Sequence, residues 1–360
     1  MKYNEEEIAL IWLDSFLDLT YKTKLQMVKS VKEPKELKEK FHLFKDLIVS
    51  DGGEELYLLM QRSNTERYTE YILGALKRRN LEIITVYSKD YPESLKVIDL
   101  PPLVLYCCGN VNLLKEKNKF GIVGSRKTLP DTLKRCENVS KEIAESGFVV
   151  VTGMAQGADA KAIEGALDSG NVISVIASGI DDIYPEQNRY LVDKVASVGL
   201  VLGEHNPGIK SKPYLFPIRN RIISALSRGV LIVSGSKKSG TSYTANFALD
   251  YGKDVFAFPY GLGVESGEGC NELIKNGANL VTGTEDILSF YGVESKTVKE
   301  ETEADDEETS IYDIIKEEPV HIEKLAQKAG KSVVEITPVL LMLEIKGKVV
   351  KDAGNVYSAL

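Results

Sequence analysis

From residue 120 onward the chain alternates short apolar runs with amphipathic stretches, and no other feature constrains the fold as strongly. The runs fall at 120–123, 148–151, 172–176, 200–202, 230–233, 254–258 and 279–281. Stretches of helical period at 130–146, 156–168, 186–198, 217–227 and 241–251 separate most of them. A continuous apolar run of four or five residues reads as a strand buried on both faces. Strands interleaved with helices are joined by right-handed crossovers, so the fold class is α/β, with a mainly parallel sheet between two layers of helices. Ligands of such sheets bind beyond the C-terminal strand ends. The polar clusters at 124–126, 152–159, 178–179 and 234–242 sit at those ends.

The stretch FPIRNRIISALSRGVLIVSGSKKSGTSYTANFAL, residues 216–249, carries the densest chemistry. Ile222, Ile223 and Leu226 share a helical face, residues 230–233 form a buried strand, and a Gly/Ser/Lys loop opens a second helix. Backbone N–H groups, hydroxyls and the positive end of a helix dipole then meet in one place, which suits a phosphate. Candidate ligands are Ser239, Gly240, Thr241 and Ser242, whose simpler role is helix capping. Arg126, in the polar cluster after the strand 120–123, suits a bidentate phosphate clamp, its alternative being a surface ion pair. Arg219 and Arg221 lie two residues apart and diverge by roughly 200° on a helix. Either one is a ligand and the other structural, or the helix begins after Arg219. Asn220 is a further candidate, as ligand or cap. Phe216 offers a stacking face for a base or a core contact before Pro217. Asp159 reads as a helix N-terminal charge or loop brace, and Gly261–Gly267 is not a dinucleotide fingerprint.

The flanks differ in character. Residues 1–79 read as helices, with an apolar stripe from Ile8 to Leu17, Trp12 in the core and a turn at 51–53. Strands follow at 83–87 and 103–106, giving a sheet domain of 80–292. Residues 294–308 hold eight acids and two lysines, so this run supplies −6 of the net charge of −8 and leaves −2 for the rest of the chain. Its composition is that of a disordered linker, placed at 293–309. A local basic pocket is therefore compatible with the acidic total. Residues 310–360 give three helices and a two-stranded hairpin, the pattern of a winged helix. Four cysteines without CxxC spacing and three scattered histidines argue against a disulfide scaffold or a zinc site. No apolar run approaches ~20 residues and the N-terminus lacks signal-peptide character, so the expectation is a cytoplasmic protein without membrane insertion.

With these residues laid out, the chain resembles the DprA/Smf family, the DNA-processing proteins of bacterial transformation. The resemblance is carried by Tyr91-Pro92-Glu93-Ser94-Leu95 leading to Pro101-Pro102-Leu103, by Gly121-Ile122-Val123-Gly124-Ser125-Arg126, and above all by Phe216-Pro217-Ile218-Arg219-Asn220-Arg221-Ile222-Ile223. Ser239-Gly240-Thr241-Ser242 and Gly269-Cys270-Asn271-Glu272-Leu273-Ile274 follow at family spacing. The resemblance implies a sterile-alpha-motif-like N-terminal domain, a Rossmann-like sheet domain and a winged helix. It further implies a homodimer that binds single-stranded DNA, shields incoming strands and helps load the RecA recombinase in recombination and natural transformation, with no cofactor and no catalytic step. Gly124, Ser125, Arg126, Lys212, Phe216, Arg219, Asn220, Arg221 and residues 239–242 are the implied DNA contacts. Two departures stand out: Gln156 and Ile163 replace the family's usual Arg and His, and the family lysine position before Phe216 is Pro213, with Lys212 one residue earlier. The main rival is a nucleotide-cleaving phosphoribohydrolase of the lysine-decarboxylase-like superfamily. Thr244 stands where that chemistry needs a glutamate, and a hydroxyl cannot replace the carboxylate. A nucleotide sensor is the third reading.

Overall fold

The computed structural model describes residues 3–293 and 308–359, apart from Lys238 and Ala353. Contacts divide the chain into two compact units, Met1–Tyr291 and Gly292–Leu360.

The first unit begins with helices Glu5–Asp14, Tyr21–Lys29, Lys45–Ser63 and Glu66–Arg78. Asn4 starts the first through a reciprocal cap: its side chain accepts from the Glu7 N–H at 2.9 Å, and its own N–H donates to the Glu7 carboxylate at 3.0 Å. The turn expected at 51–53 is a break inside the Lys45–Ser63 helix, where Gly53 takes φ 84°. Trp12 is buried as expected, edge-on to Phe16 and Phe41, with its indole N–H donating to Ser63 at 3.2 Å.

Nine strands follow: β1 (Glu82–Thr85), β2 (Val104–Gly109), β3 (Lys119–Val123), β4 (Val149–Thr152), β5 (Val172–Ile176), β6 (Leu200–Gly203), β7 (Gly229–Ile232), β8 (Asp254–Ala257) and β9 (Asn279–Leu280). Their order is β1-β2-β6-β5-β4-β3-β7-β8-β9. All pairs from β6 to β9 are parallel, and β1–β2 and β2–β6 are antiparallel. The sheet is thus mainly parallel, as the apolar runs predict. The central strands β3, β4, β5 and β7 are buried throughout because helices cover both faces. On the side of the N-terminal helices, Ile83, Leu103, Val104 and Tyr106 join one core with Leu10, Leu13, Met27 and Ile48.

In the second unit a helix over 308–317 precedes β10 (Val320–His321), helices Ile322–Ala329 and Val333–Ile345, and strands β11 (Val349–Asp352) and β12 (Val356–Ala359). Beyond the expected hairpin, β10 pairs with β12 and makes the wing three-stranded. Ile311, Ile315, Leu325, Ile336, Leu340 and Tyr357 form its own core. Most of the expected linker lies outside the described residues, and Glu308 and Thr309, counted within it, are helical.

Candidate functional site

Strand order reverses at β3. The chain runs from β3 to β4, β5 and β6 on one side, then returns to β7 on the other. A topological switch point therefore lies between β3 and β7, where the connections leave in opposite directions and open a crevice at the C-terminal edge. A cavity of about 420 Å³ occupies it. Its walls are Gly124, Ser125, Arg126 and Lys127 after β3, Ala155 and Asp159 after β4, Phe216, Pro217, Arg219 and Asn220 on the Leu215–Leu226 helix, and Ser239, Gly240 and Thr241 after β7. Residues far apart in sequence meet because all three strands end at the same edge.

The charge of this cavity is positive in an acidic chain. Arg126, Lys127 and Arg219 line it against Asp159 alone. Arg219 and Asp159 form its floor, both almost wholly buried, with 3.9 Å between guanidinium and carboxylate. Arg219 also donates to the Val175 carbonyl and, through Nε, to Asn220 Oδ1 at 3.0 Å. Burial pushes the Asp159 carboxyl up, and the Arg219 charge and the Ala155 N–H work against that rise. Gly153 has to be glycine here, since a Cβ would collide with both charged groups.

Arg126 is held differently. It is exposed, and among the described residues no carboxylate lies within ion-pair distance of it. Its guanidinium carbon instead sits 5.1 Å from the Phe216 ring centre and 5.3 Å from that of Tyr184, and these two rings meet edge-to-face at 5.9 Å. Such a contact orients the guanidinium without neutralising it. Among the described residues Arg126 therefore forms no surface ion pair.

The loops behind Arg126 are pinned across the crevice. The Ser125 N–H donates to the Ser234 carbonyl at 3.1 Å and to its hydroxyl at 2.9 Å, so that N–H is spent inside the protein. The Ser125 hydroxyl accepts from Lys127 N at 3.1 Å. A Cβ on Gly124 would strike the Ala158 side chain. Opposite, the Thr241–Asp250 helix follows Gly240 with no side-chain cap, and its Ser242 N–H donates to the Ser239 carbonyl at 3.2 Å. The Ser239 and Thr241 hydroxyls bond each other, whereas Ser242 turns back to donate to the Ser239 carbonyl at 2.7 Å and does not line the cavity.

Of the arginine pair, only Arg219 reaches the site. The helix spans Leu215–Leu226, so it does not begin after Arg219, and Asn220 lies inside it and caps nothing. Arg221, an expected DNA contact, is buried and does not line this cavity: two N–H groups engage Glu204 at 2.8 and 2.5 Å and Nε donates to the Leu100 carbonyl at 2.9 Å. Burial works to raise the Glu204 carboxyl, but the Arg221 charge and hydrogen bonds prevail and hold it at about 2. Lys212 lines a neighbouring cavity of about 280 Å³ that shares Arg126, Pro213 and Phe216 with the main one. Phe216 is half-buried at the divide between them. Ile163 is fully buried in the Ala158–Ala166 helix, so the departure there concerns the core, while Gln156 is exposed. Thr244, at the rival's glutamate position, is fully buried and outside the cavity. Sequence reasoning missed Tyr184 and Glu204; the signal available for Tyr184 was an aromatic residue in the loop that follows the strand 172–176.

A family model described as DNA recombination-mediator protein A matches residues 82–292, and one described as the DprA winged helix domain matches residues 295–355. DNA processing protein DprA of Bacillus subtilis is 40% identical over 218 residues, covering 60% of this chain and 73% of that protein. Protein Smf of Escherichia coli is 30% identical over 298 residues, 78% of each chain. Among solved structures, DNA processing protein A from Streptococcus pneumoniae matches at 30% identity with a TM-score of 0.67, covering 82% of this chain and 99% of that one. DNA processing protein A from Helicobacter pylori, described for its unique single-stranded DNA binding mode, matches at 31% identity with a TM-score of 0.54, covering 59% of this chain and 97% of that one.

Proposed function

We infer the role of the site from the premise that this chain belongs to the DNA recombination-mediator protein A family, the DprA/Smf proteins: it binds single-stranded DNA in the crevice between β3 and β7, with little regard to base sequence. The observation that carries this reading is a cavity lined by Arg126, Lys127 and Arg219 against one carboxylate, with the Arg126 guanidinium oriented by two rings and in no ion pair among the described residues. Cations beside an uncapped helix start attract phosphates, which carry no sequence information. Aromatic faces beside them accept any base, but only one that has left a duplex stack. The Helicobacter relative, described for binding single strands, supports the same assignment.

On the family resemblance, the bound strand is incoming DNA, protected by a homodimer and passed to a RecA-type recombinase. No catalytic step is placed at the site. The carboxylate that nucleotide cleavage needs is replaced by Thr244, whose buried hydroxyl has no hydrogen-bond partner among the described residues. The test is a gel shift with single-stranded and duplex oligonucleotides of one sequence at moderate salt. The single strand is expected to bind more tightly; equal affinity for both forms overturns the reading. Retained mononucleotide binding with no binding of oligonucleotides favours a nucleotide sensor instead.

A further inference from the structure

Beside the main crevice lies the smaller cavity formed by Arg126, Tyr184, Ser211, Lys212, Pro213 and Phe216. Tyr184 is the new element. It follows Ile183, which is buried and anchors the loop after β5, yet Tyr184 itself keeps half of its surface open, at 50% exposure. A large aromatic ring held in the open beside two cations is a surface awaiting an apolar face.

The ring is also held in place. Asp182 accepts from the Ser211 N–H at 2.7 Å, and the Asp181 carboxylate accepts from Gly208 N–H at 2.8 and 3.1 Å. Ser178 donates to the Asp182 carbonyl at 2.5 Å. The loop bearing Tyr184 is thereby tied to the segment bearing Lys212, so the two walls of the cavity keep their separation. The Phe216 ring braces Tyr184 edge-on, and Arg126 lies over both rings.

We propose that this cavity is a second nucleotide subsite, in which an unstacked base lies against the Tyr184 ring, Lys212 neutralises its outer phosphate, and Arg126 holds the phosphate shared with the nucleotide in the main crevice. The proposal rests on the single-stranded DNA reading and adds to it a register: Arg126 sits between two consecutive nucleotides. Tyr184 acts through its ring face alone, so the subsite takes any base.

The experiment is a salt titration with an oligonucleotide carrying 2-aminopurine, read by fluorescence, for wild type, Tyr184→Ala, Tyr184→Leu, Tyr184→Phe and Tyr190→Ala, each checked by circular dichroism. Tyr190 is as exposed as Tyr184 at 48%, but its hydroxyl donates to Glu164 at 2.9 Å and it lines neither cavity. Loss of one base–aromatic stack weakens binding about tenfold. Tyr184→Ala and Tyr184→Leu are both expected to show that loss and a diminished 2-aminopurine quench, with an unchanged slope of log affinity against log salt, because a ring displaces no counterions. Tyr184→Phe is expected to keep wild-type affinity and quench. Wild-type affinity and quench in a folded Tyr184→Leu protein overturn the subsite, as does an equal loss in Tyr190→Ala. Failure of the parent reading looks different: wild type itself then shows no preference for single strands.

Discussion

Three arginines near the crevice carry the same charge and are held in three ways. Arg219 is set against a buried carboxylate, Arg221 is locked to Glu204, and Arg126 rests on rings. On the proposed function, replacing Arg126 by alanine is expected to remove a ligand and leave the fold intact. A charge-assisted bond is worth roughly 1.5–3 kcal/mol, so Arg126→Ala is expected to bind single-stranded DNA about tenfold to a hundredfold more weakly. The loss should be the same for different base sequences, and the salt slope should flatten by roughly 0.7, one phosphate's share. Unchanged affinity and slope in a folded variant would place Arg126 outside the site. Arg221→Met is expected to act on the fold instead, since it strands a buried charge at a cost of about 3–5 kcal/mol. The pH sign follows from Glu204: its carboxyl is held at about 2 in the folded chain, below its unfolded value. The pair's contribution is full above the unfolded value of about 4.3 and disappears as pH falls from there toward 2. Thermal melts at pH 7 should show Arg221→Met less stable than the double variant Arg221→Met with Glu204→Gln; the reverse order would remove the stranded-charge explanation. Sequence alone showed that Arg219 and Arg221 diverge on a helix, but not which faced the crevice, because Glu204 and Asp159 are distant in the chain.

Elements built on local pattern were legible, and those built on an unusual burial were not. The apolar runs at 172–176 and 200–202 became β5 and β6 with ends within a residue, because a strand covered on both faces has no polar position to confuse its period. The Tyr21–Lys29 helix fell within the stretch read as helical but was not delimited. Its buried face includes Thr23 and Lys24, and Lys24 Nζ donates to the Asp14 carbonyl at 3.0 Å, so a charged residue occupies a core position and breaks the apolar stripe. The Glu268–Lys275 helix was read only as a motif, as Cys270 alone is fully buried on it. In the site, the strand–loop–helix arrangement was visible, whereas the approach of β4 to the Leu215–Leu226 helix was not. That approach depends on Gly153. Gly153→Ala forces its new methyl into the Asp159–Arg219 pair, with Arg219 Nη2 only 2.6 Å away. Overpacking of this kind costs about 1–3 kcal/mol. The variant is expected to melt earlier and to lose affinity for single strands together, because the displaced pair is the floor of the crevice. A variant that melts earlier and binds as wild type would separate the floor from binding.

At the scale of the molecule, the acidic total hid the basic crevice, since −6 of −8 sits in 294–308, and the composition shift at residue 80 hid a shared core. The N-terminal helices look separable in sequence, but they complete the sheet. Ile83 on β1, Leu103 before β2, and Val104 and Tyr106 on β2 are buried against them, and the Tyr106 hydroxyl donates to the Asp14 carboxylate at 3.2 Å. Burial of one such side chain contributes roughly 1.5–3 kcal/mol. Uncovering four at once approaches the whole stability of a domain, about 5–15 kcal/mol. The second unit differs, with a core of its own. Two truncations separate these relationships. A chain ending at Val293 is expected to melt at the temperature of the first unit in the full chain and to bind single-stranded DNA within about threefold of it, a difference under 1 kcal/mol. A chain of residues 80–293 is expected to aggregate or to melt far earlier, although every crevice residue is present. Differential scanning calorimetry with a parallel gel shift measures both. If the 80–293 chain melts where the 1–293 chain does, the helices are an independent domain, and the contacts of Tyr106 and its neighbours contribute little to the stability of the sheet.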